Sequence, residues 1–326
     1  MGAGDICRRV HLPVLKNIQN VSVAWIADVN FKQAEIVGSL FGVLPLQIEQ
    51  ENLSFPECEV VLLATPVHSR SAYLKYFAER GVAVFAEKPF SLTSEEHLSY
   101  VALFDKSSID CAYMRRTYAN LRMLRQFVKS KWLGELRSIA YQEGGRVTST
   151  EFGSATLDLS YLKGGGVLRD LGCHGLDAIF FITGSTQYRI DSCVIEWDEL
   201  TDRHVEANLC ISQEASVSAR EITVNFAVSW LKNQSNHFVL EFENAYLRSG
   251  IKPDSEIQVA SSSSFHDAMT LTSDMVGART PLQAYYLEWE AVLSALRTEG
   301  DSGFSASEAI CTTRLVEDLY KRGLNK

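Results

Sequence analysis

Through the first third of the chain, short apolar runs alternate with stretches of helical periodicity. Residues 21–28, 59–65, 82–86 and 109–114 read as strands, each rich in branched or aromatic side chains and bounded by turn formers. Between them, residues 31–41 carry a helical spacing closed by Gly42, and residues 69–80 carry one closed by Gly81. Ser91-Leu92-Thr93-Ser94-Glu95-Glu96 supplies capping groups for a helix through Phe104. Strands alternating with helices build right-handed βαβ units and a parallel sheet. After about residue 115 the pattern changes. A helix over residues 119–132 ends at Gly134, and long β-rich stretches follow at 136–145, 188–197, 205–211, 217–228 and 237–247. Many alternate apolar with polar, as an antiparallel sheet with one wet face does. Helices over 282–297 and 306–322 close the chain, and 254–280 reads as a flexible or partner-contacting stretch. The expected fold is α/β followed by α+β. A doubly wound parallel sheet occupies residues 1–114, and a domain with a mostly antiparallel open sheet occupies residues 115–326.

Composition narrows the classes. The 326 residues suit two domains, and 46% apolar with 22% charged residues describes an ordinary globular chain with a real core. A net charge of −9 argues against nucleic acid or an anionic membrane as the main partner. There is no secretory leader pattern and no apolar run near the roughly twenty residues that cross a bilayer, so a cytoplasmic protein is expected. The seven cysteines are scattered, with no Cys-x-x-Cys pair, and read as reduced thiols with no zinc site.

Two stretches carry chemistry. Gly164-Gly165-Gly166 leads into Asp170, His174 and Asp177, whose spacings of four and three place them on one helical face. An imidazole beside carboxylates is a proton acceptor ready near neutral pH. Cys173 reads as a small structural residue, because its neighbour His174 points about 100° away on a helix. Asp170 reads either as a catalytic partner or as an N-cap, and Asp177 as mainly structural. The second stretch is Ala86-Glu87-Lys88-Pro89, a lysine held before a proline at the end of an apolar run. Arg115, Arg116 and Arg146 are candidates for an anionic substrate group or for ion pairs; Tyr118 and Tyr161 either stack on a sugar or fill the core.

The chain opens Met1-Gly2-Ala3-Gly4-Asp5-Ile6-Cys7. Gly2 and Gly4 fit the first two glycines of a dinucleotide loop, with Cys7 in the place of the third, ahead of a helix whose N-terminus would face a pyrophosphate. Asp28 closes the next strand at the distance suited to the adenosine ribose hydroxyls. Only Met1 precedes the loop where a central strand belongs. Either native residues are missing, or another segment or chain fills the gap, or the nucleotide domain is degraded.

These residues together resemble the glucose–fructose oxidoreductase / inositol dehydrogenase / rhizopine-catabolism (Gfo/Idh/MocA) oxidoreductases. The matching pieces are Gly2-Ala3-Gly4 with His11-Leu12-Pro13, Ala27-Asp28, Ala64-Thr65-Pro66, Ala86-Glu87-Lys88-Pro89-Phe90, Arg115-Arg116, Gly164-Gly165-Gly166 and Asp170 to Asp177. The chain departs at Cys7, at the absent first strand, and at Val67-His68-Ser69-Arg70 after the Thr-Pro pair. The resemblance implies a Rossmann domain, then an α/β domain with an open sheet that serves as a dimer or tetramer interface. It implies an NAD(P)-dependent dehydrogenase or reductase of sugars, cyclitols or nucleotide sugars. Lys88 and His174 are then catalytic, with Asp170 orienting the substrate or the imidazole. Gly2, Gly4, Asp5, Ile6, Asp28, Thr65, Pro66, His68, Glu87 and Lys88 would hold the cofactor, and Arg116, Tyr118, Arg146, Asp170 and His174 the substrate. Asp28 would repel a 2′-phosphate and the nearest cation is Lys32, so NAD is expected over NADP. The competing readings are a sugar-processing lyase or hydrolase that oxidises transiently, and a non-catalytic binding or regulatory protein.

Overall fold

The computed structural model describes residues 1–104, 109–147, 165–212, 221–272 and 276–324. The chain divides into two compact units, one formed by Met1–Tyr113 with Tyr285–Ile310, the other by Met114–Ala284 with Cys311–Lys326. Residues 285–310, placed with the second half on sequence, therefore belong to the first unit.

In the first unit a helical segment, π-wound over Cys7–His11, runs into α1 (Leu12–Leu15). Then come β1 (Trp25–Asp28), α2 (Phe31–Phe41), β2 (Leu44–Gln47), β3 (Val60–Leu63), α3 (Arg70–Ala78), β4 (Ala83–Glu87), α4 (Ser94–Val101) and β5 (Ile109–Ala112). Helix ends follow the local chemistry. Gly42 caps α2 in the left-handed region, and the Thr93 hydroxyl accepts the Glu96 N–H at the start of α4. All the strand pairs are parallel, but they fall into two sheets: β1 pairs with β2, and β3-β4-β5 form the other. The short, half-exposed β2 with its Pro45 was not legible from pattern, because it has neither an apolar run nor alternation. Met1 and Gly2 bridge the two sheets. The Met1 ammonium donates to the Leu62 carbonyl (2.6 Å), Ala64 N–H to the Met1 carbonyl (2.8 Å), and Gly2 N–H to the Ala27 carbonyl (2.8 Å). Met1 and Gly2 thus take ladder positions between β1 and β3.

The second unit is built on one eight-stranded sheet in the order β13-β12-β11-β10-β6-β9-β8-β7. Its strands are β6 (Leu136–Gly144), β7 (Gln187–Trp197), β8 (Asp202–Ser212), β9 (Glu221–Ser229), β10 (His237–Phe242), β11 (Tyr246–Gly250), β12 (Ile257–Ala260) and β13 (Met269–Leu271). Every pairing is antiparallel except β6 with β9. The stretch 237–247, expected as one strand, is a hairpin of β10 and β11. The stretch 254–280, expected as flexible, contributes β12 and β13 to the sheet edge. Residues 217–220 of the expected strand lie outside the described residues. Helix α5 (Ala119–Ser130) buries Leu121, Leu124, Phe127 and Val128 at helical spacing. Helix α6 (Cys173–Thr183) is apolar nearly all round and buried on nearly every side. Helices α7 (Pro281–Thr298) and α8 (Ala306–Leu324) end the chain.

Candidate active site

The glycine loop is held by its own backbone. Gly2 has φ +85°, and a Cβ there would lie 2.6 Å from the Ala64 carbonyl oxygen, so only glycine lets the loop pass β3 this closely. At Gly4 a Cβ would meet nothing within 4 Å, which leaves the face of the loop open to a ligand. Asp28 ties the loop to β1: one carboxylate oxygen accepts Ala3 N–H and the other Asn30 N–H, each at 2.8 Å. A carboxylate has about four acceptor positions, so capacity remains for ribose hydroxyls. Asp5 pairs with Arg8 and Arg9 at the start of the helical run, and Ile6 follows it there. After β3, the Thr65 hydroxyl is buried with no hydrogen-bond partner, a polar group suited to a ligand. Pro66 and His68 are exposed at the following turn. The open Gly4, the lone Thr65 hydroxyl and Asp28 together fit a dinucleotide.

Lys88 follows β4 and precedes a cis peptide bond to Pro89. Its surroundings are fixed from several sides. Buried Arg70 donates to the carbonyls of Glu87 and Pro89 (2.7 Å for the latter) and through Nε and Nη2 to that of Thr65. Burial lowers the Arg70 pKa to about 10, which leaves the guanidinium charged at neutral pH. Glu87 turns inward instead of toward a ligand. One of its oxygens accepts Lys88 N–H (3.1 Å), and the other meets His11 Nε2 (2.8 Å). The Trp289 indole N–H donates to His11 Nδ1 (2.9 Å). Since an indole N–H only donates, Nδ1 accepts and the His11 proton sits on Nε2, pointing at Glu87. Burial would raise the Glu87 pKa, but the His11 hydrogen bond, with His11, Lys88 and Arg70 nearby, outweighs it and holds the carboxyl below its usual range. Glu87, expected as a cofactor ligand, is thus a positioning residue for the Lys88 backbone.

In the second unit, Gly165 and Gly166 are the described part of the glycine run. A Cβ on Gly166 would lie 2.1 Å from the Asp202 carbonyl oxygen. Buried Asp202 accepts the N–H groups of Gly166 and Leu168 and the Tyr320 hydroxyl, each at 2.8 Å. It is the capping carboxylate for the helical run that follows, a role weighed on sequence for Asp170. Asp170 lies inside a π-wound turn, Leu168–Gly172, that leads into α6. The wider π turn alters its angular step, so only His174 and Asp177 keep the α-helical spacing expected of all three. His174 is 8% exposed on the first turn of α6. Asp177 is buried and takes a bidentate pair from Arg116, at 2.9 and 2.6 Å. Arg115 makes a second bidentate pair with Glu143, at 2.9 and 2.6 Å, and the Tyr141 hydroxyl also donates to Glu143. Burial and the Glu143 charge push the Tyr141 pKa far up, so the phenol keeps its proton.

These pairs change the roles expected of several residues. Arg116 spends two nitrogens on Asp177, and Arg115 two on Glu143; both brace the unit first. Tyr118 is 4% exposed and opens α5, so of its two readings the core one holds. Arg146 is exposed, with its N–H donating to the Asn233 side chain. Cys173 is buried with its thiol donating to the Arg169 carbonyl (2.9 Å). Gly164 and Tyr161 lie outside the described residues. Sequence reasoning missed Arg70, Glu143, Asp202 and Trp289, and saw His11 only as part of a motif. Glu143 alone carried a signal, a carboxylate on the inward register of Ile139 and Tyr141.

Residues 1–113 match the model of an oxidoreductase family with an NAD-binding Rossmann fold, GFO_IDH_MocA. That match covers the leading part of the chain, and the likeness there is to the Gfo/Idh/MocA family. Among curated members, the chain is 26% identical over 195 residues to the rhizopine catabolism protein MocA of Rhizobium meliloti, covering 58% of each chain. It is 26% identical over 234 residues to the inositol 2-dehydrogenase of Pseudarthrobacter chlorophenolicus, covering 69% of this chain and 64% of the relative. The match therefore spans about three fifths of these relatives' length. Solved structures share the fold over the whole chain. An aldose-aldose oxidoreductase from Caulobacter crescentus superposes with a TM-score of 0.80 at 16% identity, covering 100% of this chain and 96% of the other. A 3-ketoreductase from Actinomadura kijaniata, solved with NADP, superposes at 0.79 and 17%, covering 98% and 95%. The first unit thus carries an NAD-binding Rossmann-like domain, and a mostly antiparallel sheet follows it.

Proposed function

We propose that this protein is an NAD(P)-dependent oxidoreductase that moves a hydride between the cofactor and a secondary alcohol or ketone of a sugar, cyclitol or nucleotide sugar. The observation that carries this is the anchoring of the Lys88 backbone. Glu87 and Arg70 hold the peptide groups on either side of it, a buried investment that an ordinary surface lysine does not receive. Bound nicotinamide supplies the hydride acceptor or donor. Lys88 supplies a cation for negative charge developing on the substrate oxygen, worth most where water is excluded. His174 takes the hydroxyl proton in oxidation and returns it in reduction, and Asp170 orients substrate or imidazole. Asp28 favours NAD over NADP, since its carboxylate would repel a 2′-phosphate and Lys32 is exposed. The substrate class follows relatives named inositol 2-dehydrogenase and 3-ketoreductase. We place the protein in the cytoplasm as a homodimer or homotetramer assembled through the large sheet; no described helix is long and apolar enough to cross a membrane.

The test is reduction of NAD or NADP against a panel of cyclitols, aldoses and nucleotide sugars, with Lys88→Ala and His174→Ala beside the unaltered chain. Turnover by the unaltered chain with loss in both variants supports the reading, and full turnover by either variant removes that residue from it. Product formed without net cofactor reduction would assign a transient-oxidation lyase or hydrolase. The inward turn of Glu87, bonded to His11 and the Lys88 N–H, favours a second reading, a non-catalytic binding or regulatory protein with a weak cofactor site. Calorimetry that detects no binding of either dinucleotide would decide for it.

A further inference from the structure

Two glycines flank the proposed proton acceptor where α6 begins, in the order Gly172-Cys173-His174-Gly175. Gly172 has φ −61° and ψ −41°, ordinary right-handed helix, and Gly175 is not left-handed either. Backbone conformation therefore demands glycine at neither position. Glycine inside a helical run costs stability relative to alanine, so two within one turn need a reason in packing. The reason is the inner face of the large sheet. A Cβ on Gly172 would lie 2.8 Å from Leu168 Cδ1 and 3.4 Å from Phe226 Cζ. A Cβ on Gly175 would lie 2.3 Å from Tyr141 Cε1, 2.5 Å from its Cζ and 2.8 Å from its hydroxyl oxygen. The Tyr141 ring occupies the space that a side chain at position 175 would need.

That ring cannot yield. Tyr141 is fully buried, and the register sets it directly opposite Phe226 on β9 and Phe238 on β10. The ring centroids of those two lie 5.5 and 4.7 Å from its own. Its far end is tied as well. The Tyr141 hydroxyl donates to Glu143, the next inward residue of β6, and accepts from Arg115 Nη1 at 3.1 Å. Glu143 is itself gripped by both terminal nitrogens of Arg115. The hydroxyl proton is committed to Glu143, so Tyr141 can act on a reaction only through its position.

We propose that Tyr141, tethered by Glu143 and Arg115, is a positioning residue for His174: its ring sets the depth at which the first turn of α6 meets the sheet. The helical step of about 100° per residue puts Gly175 about 100° to one side of His174 and Asp177 about 60° to the other. The Tyr141 ring fixes the first flank, and the Arg116–Asp177 pair fixes the second. The imidazole is carried between two contacts that the unit holds rigid. The neighbouring arginines divide this work, Arg115 securing the seat under Gly175 and Arg116 the side of the helix. The catalytic meaning of the seat rests on the oxidoreductase reading of His174; the seat itself does not.

The test uses the full chain with Gly175→Ala and, separately, Tyr141→Phe. Alanine is the better helix former, so any loss in Gly175→Ala comes from the collision with Tyr141 and not from propensity. Tyr141→Phe keeps the ring and removes only its tether, which decides the matter if Gly175→Ala does not fold. The imidazole is read directly by NMR of histidine-labelled chain without cofactor, the His174 signal being the one that disappears in His174→Ala. In both variants that signal and its titration midpoint are expected to move, while those of the other six of the seven histidines stay in place. In turnover, kcat is expected to fall about 10²-fold in Gly175→Ala and about tenfold in Tyr141→Phe, with KM for the cofactor unchanged. A lower Tm in Tyr141→Phe with the His174 signal and kcat both unmoved would make Tyr141 a packing residue only and overturn the proposal. Absence of turnover in the unaltered chain would remove the oxidoreductase reading instead, and the NMR comparison would still decide the seat.

Discussion

In the first unit, five parallel strands of four or five residues are shared between two sheets, while in the second, eight strands of up to eleven residues run on without a break. The difference shows in how each region holds its candidate catalytic group. Where the ladder is short and interrupted, the Lys88 turn is fixed by side chains reaching to backbone: Arg70 to three carbonyl-bearing residues around it, and Glu87 to Lys88 N–H through a chain that runs back to Trp289. Where the ladder is continuous, the His174 helix rests on carboxylates and ion pairs aimed at rigid sheet and helix positions, with Asp202 at its entry and Arg116–Asp177 on its flank. In the parallel unit side chains reaching to backbone fix a turn, and in the antiparallel unit charge pairs brace a helix.

That contrast can be broken most forcefully at the two proposed catalytic side chains. Lys88→Ala and His174→Ala are each expected to lower kcat by about 10²–10⁴-fold with little change in Tm, read by steady-state kinetics and thermal melting. Next in size is Asp177→Ala. It leaves the Arg116 guanidinium buried without its carboxylate, and a cost of about 3–5 kcal/mol is expected in denaturant unfolding, because removing one partner of a buried pair strands the other charge. His11→Ala should cost less stability but act at a distance on turnover. Loss of its bond to Glu87 loosens the Lys88 peptide, for an expected fall of about tenfold in kcat; Trp289→Phe, which removes only the indole N–H, should fall by less. A smaller effect on turnover from Trp289→Phe than from His11→Ala orders the chain as drawn; the reverse order would dissolve it.

The smallest effect is one of pH and belongs to the first unit alone. Burial raises the Asp110 pKa from 3.8 to about 6, against the hydrogen bond it receives from Ser302, with Asp301 and Glu308 adding to the rise. Between those values the folded chain binds the proton that the unfolded chain has released. This contribution to stability is therefore lost as pH rises from about 4 to 6. Glu87 has the opposite sign: its folded pKa is depressed, so its contribution is present above the unfolded carboxylate value and is lost as pH falls through the folded one. Asp110→Asn should flatten the Tm profile between pH 4 and 6 and leave the acid limb unchanged. A profile identical to that of the unaltered chain would exclude Asp110 as its source.

Much of this was legible before any coordinates. Gly42 and Gly81 marked helix ends, Asp28 closed its strand at the spacing a dinucleotide loop implies, and Glu87-Lys88-Pro89 stood at the end of an apolar run. What escaped had weak local signals. The β2 strand was too short and exposed for periodicity to find, and the 237–247 hairpin read as one strand because Glu243-Asn244-Ala245 is a three-residue interruption. Asp202 and Trp289 escaped for another reason, since their partners stand 36 and 278 residues away along the chain.

The amino-acid sequence by itself determined what depends on neighbours within about ten positions: helices and their ends, strand alternation, the glycine loop, and the order of motifs that carries the family resemblance. Tertiary structure decided which charges are spent internally, because whether Arg116 or Glu87 serves a ligand depends on distant chain segments that bury it. It also decided that Met1 and Gly2 stand between two parallel sheets. Hydrogen-bond partners across a sheet are chosen by chain topology, and no local pattern of side chains carries that information.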